Sequence, residues 1–490
     1  MTPVPLSQAT LSAIPGDVTL PGYDRSTLSR GILHVGLGNF HRAHQAVYLD
    51  RLFALGEDHD WALVGASLRE NDRAVRDDLA DQDWLTTVVE LEPAGYTARV
   101  CGSMIDYAEI SPVAVVAAMS DPAIRIVSLT ITEGGYYVDA TTGGFDVGHD
   151  DIRHDAAHPE KPNTVFGCIL AALRARREAG AEPFTVMSCD NLPENGHVAR
   201  NAVLGLARAQ DAKLAEWIDA HVAFPNSMVD CITPATSERE IDMVADRFGI
   251  ADARPVACEP FRQWVMEDRF TAGRPALEKV GVEFVRDVAP YELMKLRILN
   301  GGHATIAYPA GLLDIHFVHD AMTHPLIFGF LARLEREEII PTVPAIEGVS
   351  MDGYFATVQR RFANPAIGDT IRRLAFDGLN RQPKFILPVI ADRLAAGESV
   401  DGLALECALW CRYCFGTTEG GVTIEPNDPE WARLTECAAS AKDKPSVWLE
   451  MQDVYGSLGE DERFVAAFTD ALDAIWSDGT AKVLERYIAG

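Results

Sequence analysis

Lys295, Asn300 and His303 bring an amine, an amide and an imidazole into one short stretch, Pro290-Tyr-Glu-Leu-Met-Lys295-Leu-Arg-Ile-Leu-Asn300-Gly-Gly-His303. On an α-helix of about 3.6 residues per turn they fall at about 0°, 140° and 80° around the axis, a single broad face. Alcohol oxidation needs such a set: a base for the hydroxyl proton, donors for the developing alkoxide, and a nearby hydride acceptor. Without a metal, lysine is the base when burial brings its pKa toward about 7–8. Asn300 can donate to the alkoxide and His303 can orient it. Spacing alone leaves another reading open, a lysine reaching along a helix edge to water beside a satisfied core histidine. Gly301 and Gly302 weaken the helix by up to about 1 kcal/mol each relative to alanine, and they admit a close neighbour.

A second motif lies far upstream. Gly36-Leu-Gly38 directly follows the apolar run Gly31-Ile-Leu-His-Val-Gly36 and precedes a helix-like pattern from Phe40 to Leu55. Glycines at a strand-to-helix turn let a backbone approach a pyrophosphate. Two glycines are a weak signal, because the third of the usual fingerprint is replaced by His41. Beyond a second apolar run, Leu68-Arg69-Glu70-Asn71-Asp72 offers the carboxylates of Glu70 and Asp72 for the ribose hydroxyls of NAD. The gap from Gly36 exceeds the usual spacing of about 20 residues. Arg69 suits a 2′-phosphate, which keeps NADP open, and a solvated turn explains the same residues. His41 and His44 flank Arg42 without a third ligand, and no His-Glu-x-x-His occurs, so no metal is expected.

The elements that must position these groups come in two kinds. Trp61–Gly65, Ile124–Ile131 and Phe184–Ser188 are further strand-like runs, and Val165–Ala179 is helix-like. Such alternation predicts a doubly wound α/β sheet covered on both faces. After Pro290 the pattern is mostly helical and punctuated by prolines. We therefore expect an α/β class chain with a Rossmann-type cofactor-binding domain over 1–289 and a mostly helical substrate and catalytic domain over 290–490. No internal repeat or low-complexity segment is evident.

Bulk properties restrict the partners. With 43 basic and 72 acidic residues, the formal charge of -29 repels nucleic acid and anionic membranes. A neutral small substrate suits such a surface. The N-terminus lacks a signal-like apolar core and no run is long enough to span a bilayer, which predicts a cytoplasmic protein. Nine cysteines, an odd number, argue against a disulfide framework. Cys407, Cys411 and Cys414 share a helix face and are expected to be packed thiols. Nothing demands a partner subunit, and a monomer is compatible with the sequence.

Lys295-x4-Asn300-x2-His303 resembles the signature of the polyol-specific long-chain dehydrogenases, the mannitol 2-dehydrogenase family. Similar segments cover most of the chain: Gly36-Leu-Gly-Asn39-Phe40-His-Arg42-Ala-His-Gln, Thr130-Ile-Thr-Glu133-Gly-Gly-Tyr136, Met187-Ser-Cys-Asp-Asn191-Leu-Pro-Glu-Asn-Gly196, Pro225-Asn-Ser-Met-Val-Asp230, Glu259-Pro-Phe-Arg-Gln-Trp264 and Pro383-Lys-Phe385. The resemblance implies a metal-independent enzyme with its site between a Rossmann-type and a helical domain, interconverting a polyol and a ketose with NAD. D-mannitol to D-fructose is the first expectation, with D-arabinitol or D-sorbitol close behind. It implies Lys295 as general acid/base, Asn191 and Asn300 as the oxyanion hole, and His303 as the group that orients the substrate. Glu292 would relay the proton, and Asp230, Arg373 and Lys384 would contact substrate. Cofactor contacts would come from Gly36, Gly38, Asn39, Phe40, Arg42, Glu70, Asp72 and Glu133. Cys231, Arg381 and Gly302 depart from the family's usual arginine, lysine and serine.

Rival expectations are a fructuronate reductase, with Arg373, Arg381 and Lys384 as cations for a carboxylate, and an NAD-holding sensor without turnover. A polyol-phosphate dehydrogenase is less expected, for want of a concentrated basic cluster.

Overall fold

The structure is a computed structural model that describes residues 2–139 and 142–490. Two compact units divide the chain, Met1–Ala289 and Pro290–Gly490.

The first unit is built on a five-stranded parallel sheet. Its strands are β1 (Arg30–Val35), β2 (Ala62–Ala66), β3 (Met104–Tyr107), β4 (Ile126–Leu129) and β5 (Thr185–Ser188). Their order across the sheet is β3-β2-β1-β4-β5, all neighbours parallel. The order reverses on either side of β1, so the β1 turn opens at the switch point of the sheet, where such folds take ligands.

Side chains alternate between two cores, one on each face. Leu33, Val35, Val64, Val127, Leu129 and Val186 pack with Phe166, Ile169, Leu170 and Leu173 of helix Val165–Ala179. Ile32, Leu63, Ile126 and Met187 pack on the other side with Val47, Leu49, Leu52 and Phe53. This period of two with both faces covered is why the strands read as continuous apolar runs. Smaller sheets complete the unit. One runs in the order Val256–Cys258, Thr86–Glu90, Thr97–Cys101, Val18–Thr19; another joins β6 (Ser227–Asp230), Gln263–Glu267 and Glu283–Val285.

The helix expected over Phe40–Leu55 is two helices, α1 (Asn39–Ala43) and α2 (Gln45–Ala54), broken at His44 with φ -114° and ψ -85°. There the imidazole Nε2 meets the Gln263 carbonyl at 2.9 Å, and the ring stacks on Phe40. The break leaves intact the buried face of α2, where each large apolar side chain contributes about 1.5–3 kcal/mol.

All strands among the described residues precede Pro290. The second unit begins with α3 (Ala289–Met294), runs through Lys295–Asn300, and continues as α4 (Gly301–Leu312). Around α4 pack α5 (Ile371–Ala375) and α6 (Asp401–Cys414). Cys407, Cys411 and Cys414 on α6 are buried free thiols. No helix among the described residues is long and apolar enough to cross a membrane.

Candidate active site

The segment carrying Lys295 departs from the geometry expected of it. Lys295–Asn300 forms a π-helical turn between two α-helices. In i→i+5 bonding, residues five apart lie about one turn apart. Asn300 therefore stands nearly above Lys295, not about 140° around the axis. His303 follows at i+3 on α4, the neighbouring position on that face. The π-turn thus draws a broad arc into a narrow stripe. A second π-turn, Glu335–Ile339, packs against the first. Gly302 permits the approach: a Cβ there would lie 3.2 Å from Glu335 Oε1 and 3.4 Å from the Phe362 ring. This is a packing reason for glycine where the resemblance leads one to expect serine.

His303 stacks on Phe362, ring centroids 4.1 Å apart and planes 15° apart. Burial, followed by the guanidiniums of Arg373, Arg361 and Arg381, holds its pKa well below the ordinary histidine value. The imidazole is therefore neutral, with one nitrogen to donate and one to accept. Arg373 is oriented by Asp369, whose Oδ1 accepts from Nε at 2.5 Å. Arg381 Nη1 donates to the Leu374 carbonyl at 2.7 Å. Lys384 is exposed and is not among the cations that bear on His303. Glu292 lies one helical turn before Lys295, partly buried.

In the first unit the structure gathers the remaining candidates into two groups. The first is the β1 turn. Gly36 has φ +95°, and a Cβ would sit 2.1 Å from the Thr130 carbonyl oxygen, so only glycine fits. Gly38 is exposed, and a Cβ there would meet nothing closer than 3.9 Å, which leaves its backbone open to a ligand. This open backbone at the sheet's switch point fits a dinucleotide. Asn39 Nδ2 donates to Thr236 Oγ1 at 2.9 Å, and its Oδ1 accepts from Arg42 Nη2 at 2.8 Å. Arg42 is buried and also donates to the Arg254 carbonyl, so it braces the turn from beneath. Phe40 stacks on His44 at 4.9 Å. Glu70 is exposed and paired with Arg73 at 2.6 Å, while Asp72 accepts from Ser67 Oγ at 2.5 Å.

The second group surrounds Asn191, exposed just beyond β5. Its neighbour Asp190 is buried and accepts from the amides of Ile131 at 2.9 Å and Thr132 at 2.8 Å, and from the Tyr136 hydroxyl at 2.6 Å. One carboxylate thereby ties the Asn191 loop to the loop bearing exposed Glu133. Asn195 extends the tie, donating to the Ser227 carbonyl at 2.7 Å and the Asp190 carbonyl at 3.0 Å. Ser227 opens β6, and buried Asp230 ends it.

Sequence reading passed over Asp190, Asn195, Arg361 and Phe362. The first two sit inside the Met187–Gly196 segment, where two more amide or acid side chains were a usable signal. Arg361 and Phe362 lie far along the chain from His303 and carried none. Among the described residues no three His, Cys, Asp or Glu side chains gather as a metal would require.

Comparisons with known proteins agree with this architecture. Residues 30–279 match the family described as mannitol dehydrogenase Rossmann domain, and 287–476 the mannitol dehydrogenase C-terminal domain. A mannitol 2-dehydrogenase of Cereibacter sphaeroides is 60% identical over 474 residues, covering 96% of this chain and 99% of its own. One from Pyricularia oryzae is 41% identical, covering 96% and 95%. The solved structure of Pseudomonas fluorescens mannitol 2-dehydrogenase in ternary complex with NAD and D-mannitol is 42% identical, covers 99% of each chain, and superposes with a TM-score of 0.86. A substrate-free D-sorbitol dehydrogenase structure is 36% identical with a TM-score of 0.91, covering 98% of this chain and 100% of that one. Sequence, fold and site stripe lead to one placement: the chain belongs to the mannitol dehydrogenase family.

Proposed function

We propose that this protein is an NAD-dependent, metal-independent polyol dehydrogenase that oxidises C2 of a polyol to a ketose, D-mannitol to D-fructose first, with D-sorbitol and D-arabinitol as competitors. The observation that carries the reading is the single stripe of Lys295, Asn300 and neutral His303 made by the π-turn. The relatives that act on mannitol and the complex holding NAD and D-mannitol support the choice of substrate and cofactor.

In this reading Lys295 takes the C2 hydroxyl proton, and Glu292, one turn earlier, passes it toward water. Asn191 and Asn300 donate to the alkoxide oxygen. His303, kept neutral by burial and by three guanidiniums, accepts from one substrate hydroxyl and donates to another. Asp230, Arg373 and Lys384 hold the far hydroxyls. Bound NAD supplies the hydride acceptor. Gly36, Gly38, Asn39, Phe40, Arg42, Glu70, Asp72 and Glu133 make or shape its seat. We assign cofactor binding to 1–289 and the proton chemistry to 290–490. Nine free cysteines accord with a reducing, cytoplasmic setting.

The test is a set of initial rates with D-mannitol, D-sorbitol and D-arabinitol plus NAD or NADP, and D-fructose and D-fructuronate with the reduced cofactors, all in EDTA. EDTA-resistant turnover of a polyol by NAD is expected. Turnover of fructuronate alone would replace the polyol with a uronate, and silence with every pair would overturn the enzyme reading.

A further inference from the structure

His34 on β1 and Ser128 on β4 are cross-strand partners, and Thr130 just past β4 points to the same face. His34 Nδ1 lies 2.8 Å from Ser128 Oγ, and its Nε2 lies 2.9 Å from Thr130 Oγ1. Thr130 Oγ1 in turn donates to the Gly36 carbonyl at 2.7 Å. Only one proton arrangement satisfies all three contacts. The Gly36 carbonyl can only accept, so it takes the single Thr130 hydroxyl proton. Thr130 Oγ1 must then accept from His34, which fixes the proton on Nε2. A neutral imidazole has no second proton, so Nδ1 accepts from Ser128. Burial keeps His34 neutral, its pKa pushed down to about 3. His41 closes the far side of the ring, stacked at 3.5 Å and 18°. Ser128, His34 and Thr130 therefore donate in one direction, ending on the Gly36 oxygen.

That oxygen also accepts from the Gly38 N–H at 2.7 Å, so one carbonyl holds both limbs of the turn. The Gly36–Leu37 peptide is planar and trans, so pinning its oxygen toward Thr130 aims the Leu37 N–H the opposite way. The face of the turn that meets a ligand is thus set from behind by side chains that never touch the ligand.

We propose that Ser128, His34 and Thr130 are positioning residues that orient the Gly36–Leu37 peptide for the cofactor's pyrophosphate. This rests on the cofactor reading of the turn. The test is NADH titration by fluorescence on the full-length wild type, T130V and T130S, with KM for NAD, KM for the polyol, kcat and Tm alongside. T130V keeps the shape and removes the hydroxyl that links His34 to the Gly36 oxygen, leaving only the long 3.4 Å contact from His34 Nε2. It should weaken NADH binding and raise KM for NAD about 5- to 30-fold, as for one hydrogen bond lost from an ordered turn. Polyol KM and kcat at saturating NAD should stay within about twofold, and T130S should restore binding. A merely structural threonine would lower Tm without this selective change in cofactor KM. If T130V does not fold, S128A loosens the same chain one link back and should show a smaller, equally selective loss. Wild type that binds NADH while T130V, or S128A in its place, binds as tightly overturns the relay alone. T130S as weak as a folded T130V does the same. Wild type that binds no NADH overturns the cofactor reading and the relay with it.

Discussion

Replacing Glu406 with glutamine should make the second unit more stable, and increasingly so as pH rises. Glu406 lies wholly buried on α6, with Oε1 accepting from Gln382 Nε2 at 2.7 Å and the Cys407 thiol as its other polar neighbour. The groups facing it are Gln382, Cys407, Tyr308 and Tyr455, none of them cationic. Burial pushes its pKa from 4.5 up to about 8. Across that window the folded state holds a proton that the unfolded chain has released, so stability falls as pH rises, and the loss is complete above pH 8. At about 1.36 kcal/mol per pKa unit, the loss between pH 5 and pH 8 is at most about 4 kcal/mol, and less because buried sites relax. Glutamine keeps the acceptor oxygen and carries no titrating proton. Urea unfolding of wild type and E406Q at pH 5, 6, 7 and 8 should give a difference near zero or slightly unfavourable at pH 5. That difference should grow in favour of the variant by about 2–3 kcal/mol at pH 8. A difference flat across pH would refute the reasoning, because it would mean that Glu406 titrates alike in both states.

Other outcomes follow from the sites described. K295A should bind NADH as wild type does while kcat falls about 10²–10⁴-fold; a loss under tenfold in steady-state rates would remove Lys295 from the proton step. R373Q takes away one guanidinium that depresses His303, so the imidazole should protonate at higher pH. The acid limb of kcat/KM should then move upward, and an unmoved limb would mean His303 plays no part in it. G36A combines a left-handed φ with a backbone clash, and should lower stability by more than about 2 kcal/mol together with NADH affinity, checked by calorimetry and titration.

Much of the first unit is legible because a covered parallel sheet leaves a plain trace. Ile32, Leu33 and Val35, or Ile126, Val127 and Leu129, are apolar on successive residues since both faces are buried. β3 escaped because Ile105 and Asp106 are only partly buried, and four residues with a charge among them show no pattern. Ser227–Asp230 is held by Gln263–Glu267, a partner no local window contains, and Thr86–Glu90 lies between the nearby Thr97–Cys101 and the distant Val256–Cys258. The break at His44 comes from the Gln263 carbonyl, again a remote group. At the site, residue types named the chemistry at Lys295, Asn300 and His303, but spacing misjudged their angles, because hydrogen-bond register is not a property of residue type. The neutral state of His303 depends on its burial and then on three arginines from other helices, and the bracing of Asn191 on a carboxylate one residue away, whose burial only the fold reveals.

The π-turn makes hydrogen-bond register itself part of the site. It holds one residue more than an α-helix of the same rise would. Regularising Lys295–Asn300 to i→i+4 bonding with every residue kept would turn everything upstream by about 100° relative to α4. Lys295 and Glu292 would then face another quarter of the helix, with every remaining side chain unaltered. A designer who regularised this backbone would therefore erase the stripe while improving the helix, whereas removing one residue between Lys295 and Asn300 would leave the two four apart and still on one face.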